Sequence, residues 1–140
     1  SYRMRSDLLV NNFVYTAIKK KKLTLFEPHF RRNFIHVRDV VNAIIFTMKN
    51  FNRLKNNVYN LGLSSANISK IMLAEKIQKQ YKKLSIKIVT NRKDPDKRDY
   101  FVSNDKIEKK GFKAKISLED GISELIQIFT NDKNKVINNY

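Results

Sequence analysis

The chain has 140 residues, 41% of them hydrophobic, no cysteine, and a formal net charge of +16. That length fits one domain able to bury its own core, and the apolar share excludes a disordered chain. The lack of cysteine excludes disulfides and thiolate metal sites, and fits a reducing compartment, here the cytoplasm.

Leu8, Leu9, Asn12, Phe13, Thr16 and Ala17 follow helical spacing and predict a helix over residues 7–22, with Ser6 as N-cap. Four lysines, Lys19 to Lys22, suit its C-terminal end. Residues 23–26 predict a short strand, and residues 27–31 a loop around Pro28. Residues 34–37 are extended. A second helix spans residues 37–49, with Val40, Val41, Ile44, Ile45 and Met48 on one face. The Phe and Ile stripes are expected to form the core.

Val58 to Leu61 alternates as a strand and stops at Gly62. A third helix covers residues 68–81, capped by Asn67 and burying Ile71, Met72, Ala74 and Ile77. Residues 86–89 form another strand. A charged loop follows over residues 91–99. Ser103 caps a short helix that ends at Gly111. Ser117 opens a last helix burying Ile122, Leu125, Ile126 and Phe129, and the tail from Thr130 is polar and frayed. The fold class is α/β: a small mixed unit of few short strands and about five helices, whose small sheet leans on another domain. No apolar run approaches the ~20 residues of a membrane helix. No signal peptide is expected at the start of the chain, and Ser1 in place of Met reads as a processed or engineered end.

The positive charge has two readings. It attracts phosphates, of nucleic acid or of nucleotide. It also follows from composition, since Lys, Asn and Ile are abundant together, as A/T-rich coding yields. The lysine run contains no interleaved aromatic, which weakens a nucleic-acid interface. Gly62, Gly111 and Gly121 are too far apart for a phosphate-cradling loop, so the chain by itself should not bind NAD in the usual way. His29 and His36 provide neither a triad nor a metal set; His36 fits a structural bond at a helix start.

Arg32 is a candidate anion clamp, because a guanidinium grips a diphosphate bidentately. It is equally a surface arginine paired with Glu27 or Asp39. In the charged loop, Arg92 and Arg98 can hold phosphates, Asp96 can accept ribose hydroxyls and Tyr100 can add a ring or hydroxyl contact; a solvated loop is the plain alternative. Asn11 and Asn12, poor helix formers inside a helix, suggest that one side chain bonds a ligand or a neighbouring carbonyl.

Five pieces in order resemble the C-terminal half of the extended short-chain dehydrogenase/reductase family of NAD-dependent nucleotide-sugar epimerases and dehydratases. They are residues 3–13; residues 26–40, with Arg32 leading Phe34-Ile35-His36-Val37-Arg38-Asp39; residues 58–62; residues 96–112; and residues 117–122. The resemblance covers residues 1–129, as one nucleotide-sugar-binding domain followed by a tail over residues 130–140. It implies a parent enzyme whose N-terminal Rossmann half, missing here, binds NAD or NADP and carries a catalytic Tyr-x-x-x-Lys pair. That parent would be a homodimer.

This chain would contribute substrate binding only, with no catalytic, cofactor or metal residue. Asn12 and Phe13 would meet the diphosphate and nucleotide, Thr24 and Phe26 would flank the base, and Arg32 would grip the diphosphate. Asp96 would face the ribose, with Arg98 and Tyr100 at the phosphate or sugar side. The closing motif admits two registers, so Arg92, Lys93 and Arg98 all remain candidates for the phosphate. Glu27-Pro28-His29-Phe30 stands where many members have a glycine turn. The alternatives are a stand-alone basic nucleic-acid-binding module and a non-catalytic fragment acting through a protein partner.

Overall fold

The computed structural model describes residue 5, residues 7–90 and residues 98–131. In chain order the elements are α1 (Leu9–Lys20), β1 (Lys22–Leu25), β2 (Arg31–Asn33), α2 (Val37–Lys49), α3 (Phe51–Leu54), a 3-10 turn (Ser64–Ala66), β3 (Asn67–Ser69), α4 (Lys70–Gln80), β4 (Ser85–Ile88), α5 (Asp105–Glu108) and α6 (Leu118–Asn131). The chain is α/β, with two two-stranded sheets, β1–β4 and β2–β3, among the described residues. It divides into two compact units. The first comprises residues 1–29, 69–97 and 119–140; the second comprises residues 30–68 and 98–118.

In the first unit β1 and β4 pair in parallel, Lys22 opposite Ser85 through Leu25 opposite Ile88. Leu23 and Leu25 alternate inward while Lys22 and Thr24 face out, the period-2 pattern of a half-buried strand. Phe13, Val14 and Ala17 of α1 are buried, as are Leu73, Ala74 and Ile77 of α4 and Ile122 and Phe129 of α6. Tyr15 meets Phe129 edge-on, 5.4 Å between ring centres. α1 ends as its lysines suggest, with Lys19 and Lys20 in the last turn and Lys21 left-handed at φ 54°. It starts later than its periodicity suggests, behind Leu8 with no side-chain cap; Ser6 lies outside the described residues.

α4 also starts later than expected. Its cap is Ser69, whose hydroxyl accepts from Met72 N–H at 3.3 Å. Asn67 instead locks the segment around Val102, accepting from Val102 N–H and donating to its carbonyl, both at 2.9 Å. The buried face of α4 is accordingly Leu73, Ala74 and Ile77, while Met72 is exposed.

The second unit is built around α2. His36 caps it, Nδ1 accepting from Arg38 N–H at 3.1 Å, the structural role its position suggested. Ala43 packs in a core with Ile107 and Phe112, bordered by Phe46, Tyr59 and Leu61. Asp39 is buried beside it, and its Oδ2 accepts from the main-chain N–H groups of Lys115 and Ile116 at 3.0 and 2.9 Å. The expected core face of α2 is not its buried face: Val41, Ile44, Ile45 and Met48 are exposed. Nor is residues 58–61 a strand; the segment runs without regular structure. Gly111 ends the α5 turn at φ 99°, a conformation that only glycine adopts without strain.

Candidate functional site

The residues singled out from the sequence fall in both units, and each unit holds its own group. In the second unit, β2 carries Arg31 and Arg32 side by side. Arg31 is tied to Asp99 twice: its N–H donates to Oδ1 at 2.8 Å and its Nε to the same oxygen at 3.2 Å. Tyr100 N–H returns to Arg31 carbonyl at 3.4 Å. This strap lays residues 99–100 along β2.

Arg32, 6% exposed, points the other way across the strand from Arg31. Its guanidinium lies over the Tyr100 ring, 5.3 Å from the centre, and Nη1 donates to Arg31 carbonyl at 2.8 Å. Arginine is seldom this buried unless its charge is answered, and the ring face answers part of it. Asp39, a conceivable ion partner for Arg32, is instead occupied by main-chain donors. Arg98 and Tyr100 are both exposed. Arg92 and Asp96 lie outside the described residues.

Asp99 is acidified by its place in the strap. Donation from Arg31 N–H, then from the Arg31 side chain, holds its carboxyl below the ordinary value of 3.8. A depressed carboxylate adds stability above its unfolded pKa and loses it as pH falls through the folded one. The Asp99–Arg31 strap should therefore persist at neutral pH and release only below about pH 4. Thermal melts of wild type and Asp99→Asn from pH ~7 to pH ~3 check this. The variant's deficit should shrink at the acid end; because both side chains are exposed, it should be small throughout.

In the first unit, Asn12 is exposed on α1, Phe13 is buried in the core, Thr24 is exposed on β1 opposite Lys87, and Phe26 is half-buried in the turn after β1. Asn11 spends its amide locally, donating to Arg5 carbonyl at 2.9 Å. One residue here escapes sequence reasoning. Composition leaves Lys70 among the solvated lysines, yet it is buried and its Nζ donates to Phe26 carbonyl at 2.6 Å. With Ile71 N–H donating to Pro28 carbonyl at 3.0 Å, it fixes the turn over residues 26–29, where Glu27 is left-handed. The only sequence trace is its place right after a capping serine.

These features, a buried arginine on a short strand before a His-capped helix and a closing segment strapped to that strand, can be set beside known proteins. The model of the NAD dependent epimerase/dehydratase family matches residues 4–62. A GDP-L-colitose synthase of Yersinia pseudotuberculosis is 27% identical over 138 residues, covering 89% of this chain and 43% of that protein. A GDP-D-glycero-L-gluco-heptose synthase from Campylobacter jejuni, solved with NADPH, superposes with TM-score 0.64 at 26% identity over 82% of this chain and 34% of its own. A GDP-mannoheptose C4 reductase from the same organism, with NADP bound, gives 0.65 at 25% over 87% and 43%. Over residues 4–62 the chain resembles the NAD dependent epimerase/dehydratase family.

The chain spans less than half the length of each of these relatives. The three glycines do not form a dinucleotide-cradling loop. Gly62 packs against Asn33, Gly111 closes the α5 turn, and Gly121 lies inside α6, so none opens a loop in which main-chain N–H groups could converge on a pyrophosphate. Among the described residues there is no cluster of metal-ligating side chains, and no helix is long and apolar enough to cross a membrane.

Proposed function

We propose that this chain is the C-terminal, substrate-binding portion of an NAD(P)-dependent nucleotide-sugar epimerase, dehydratase or reductase, and that it holds the nucleotide diphosphate of the sugar. The observation that carries this reading is Arg32: a nearly buried guanidinium, set on a strand, backed by the Arg31–Asp99 strap and laid over Tyr100. A diphosphate needs a planar cation with fixed donors, and a rigidly held arginine loses little entropy in gripping it. The Tyr100 ring offers a face beside that cation. Asn12, Phe13, Thr24, Phe26, Arg92, Asp96 and Arg98 keep the substrate-contact roles that the family resemblance gives them.

The nucleotide is guanosine diphosphate on this reading, because the three relatives described above are each named for a GDP-linked sugar. The cofactor and the proton-transfer groups belong to the remainder of the parent enzyme, a Rossmann portion N-terminal to this one. Binding energy collected here, remote from the reacting carbon, would serve to orient the sugar.

The test is Arg32→Ala in the parent protein, titrated separately with GDP and with NADPH. GDP affinity should fall about tenfold, or about 1.4 kcal/mol, with NADPH affinity unchanged. Arg32→Lys should recover only part, since an ammonium keeps the charge but not the fork. A folded Arg32→Ala parent that binds GDP as tightly as wild type overturns the assignment.

A further inference from the structure

Two lysine runs far apart in sequence meet at one end of the first unit. Lys19 and Lys20 close α1, Lys21 and Lys22 lead into β1, and Lys82 and Lys83 lie between α4 and β4. Ser85 joins the runs. Its N–H donates to Lys21 carbonyl at 2.9 Å and its hydroxyl to the same oxygen at 3.2 Å, and it stands opposite Lys22 in the parallel ladder. All six lysines are exposed.

The six have no answering charge. Residues 8–26 and residues 76–90 contain no Asp or Glu. Among the described residues none of the six is in an ion pair; the paired lysine of α4 is Lys76, which Glu119 holds. The helix dipole favours Lys19 and Lys20 in a last turn, but the other four lie outside the helices. A lysine-rich composition supplies lysines. It does not explain a patch that excludes carboxylates, since like charges held together repel.

We infer that this end of the first unit is an electrostatic docking surface for an anionic phospholipid bilayer. The residues favour a bilayer over a nucleic-acid strand. All six are lysine, whose compact ammonium answers diffuse negative charge, and none is arginine, whose fork grips phosphates bidentately. They include no aromatic stacking platform, and Tyr81 beside them is half-buried. The first run also bends at left-handed Lys21, so it is not a straight track for a nucleic-acid backbone. The inference stands apart from the nucleotide reading, because Arg32 belongs to the second unit.

The test is sedimentation of this chain with phospholipid vesicles, of phosphatidylcholine alone or with about 30% phosphatidylserine as the anionic lipid. The chain should pellet with the anionic vesicles and not with the neutral ones. Raising salt from ~0.1 M to ~0.5 M should weaken binding by on the order of tenfold. Changing Lys20, Lys21, Lys82 and Lys83 together to Gln should lower affinity by on the order of hundredfold, since each lysine near such a surface contributes about fivefold. The same change at Lys49, Lys109, Lys110 and Lys113, exposed lysines of the second unit, should lower it by less than about fivefold. Equal binding to neutral and anionic vesicles overturns the inference. So does an equal loss in the two quadruple variants, since net charge alone would then be at work. Tighter binding to a duplex oligonucleotide at the same salt overturns it too, because the partner would then be nucleic acid.

Discussion

Replacing Asp39 with alanine should destabilise the protein by about 3 kcal/mol. The carboxylate is 2% exposed, and one of its oxygens accepts from two consecutive main-chain N–H groups, of Lys115 and Ile116. Hydrogen bonds to a charged acceptor contribute more than neutral ones. Truncation leaves both N–H groups in a part-buried place without their acceptor, so desolvation adds to the lost bonds. Asp39→Asn is the informative control. Its remaining carbonyl oxygen can still accept but carries no full charge, so it should cost about half as much. Urea unfolding of the three proteins checks the order; an alanine variant within ~0.5 kcal/mol of wild type would mean that water replaces the carboxylate.

The second large effect should come from Gly62→Ala. A Cβ built there would sit 1.8 Å from Asn33 Oδ1 and 3.1 Å from Asn104 Oδ1. Asn33 cannot simply yield, because its Nδ2 donates to Leu63 carbonyl at 2.9 Å, and Asn104 is buried. The cost should be about 2 kcal/mol, within the range for overpacking. A double-mutant cycle identifies the cause. With Asn33 already cut to alanine, Gly62→Ala should cost only a few tenths of a kcal/mol. Additive costs would instead place the strain in the backbone.

Both positions show where sequence reading stops. Gly62 is visible as the glycine closing an Asn-Leu-Gly segment, but its reason lies in Asn33, 29 positions earlier in the chain. Asp39 is visible as an acidic residue in the first turn of a helix, a place that suits the dipole without any partner. Its actual donors come from residues 115–116. Arg32 could be read from its type either as an anion clamp or as a surface arginine paired with Glu27 or Asp39. The structure buries it, with the strap behind it and the Tyr100 ring beneath it.

The same division runs through the fold. Helix α2 begins and ends where its residues say, because a capping His36, an acidic first turn and a basic last residue act within one turn of the backbone they stabilise. The alternation of β1 and the left-handed Gly111 are equally local. Periodicity alone could not tell which of two apolar faces of α2 is buried, nor that Ser69 rather than Asn67 caps α4, since Asn67 is drawn away to Val102. It could not make residues 58–61 a strand either. A helix satisfies its own main chain, so sequence by itself determines it; a strand and a buried carboxylate need donors and acceptors from elsewhere, and only the tertiary structure decides whether they arrive.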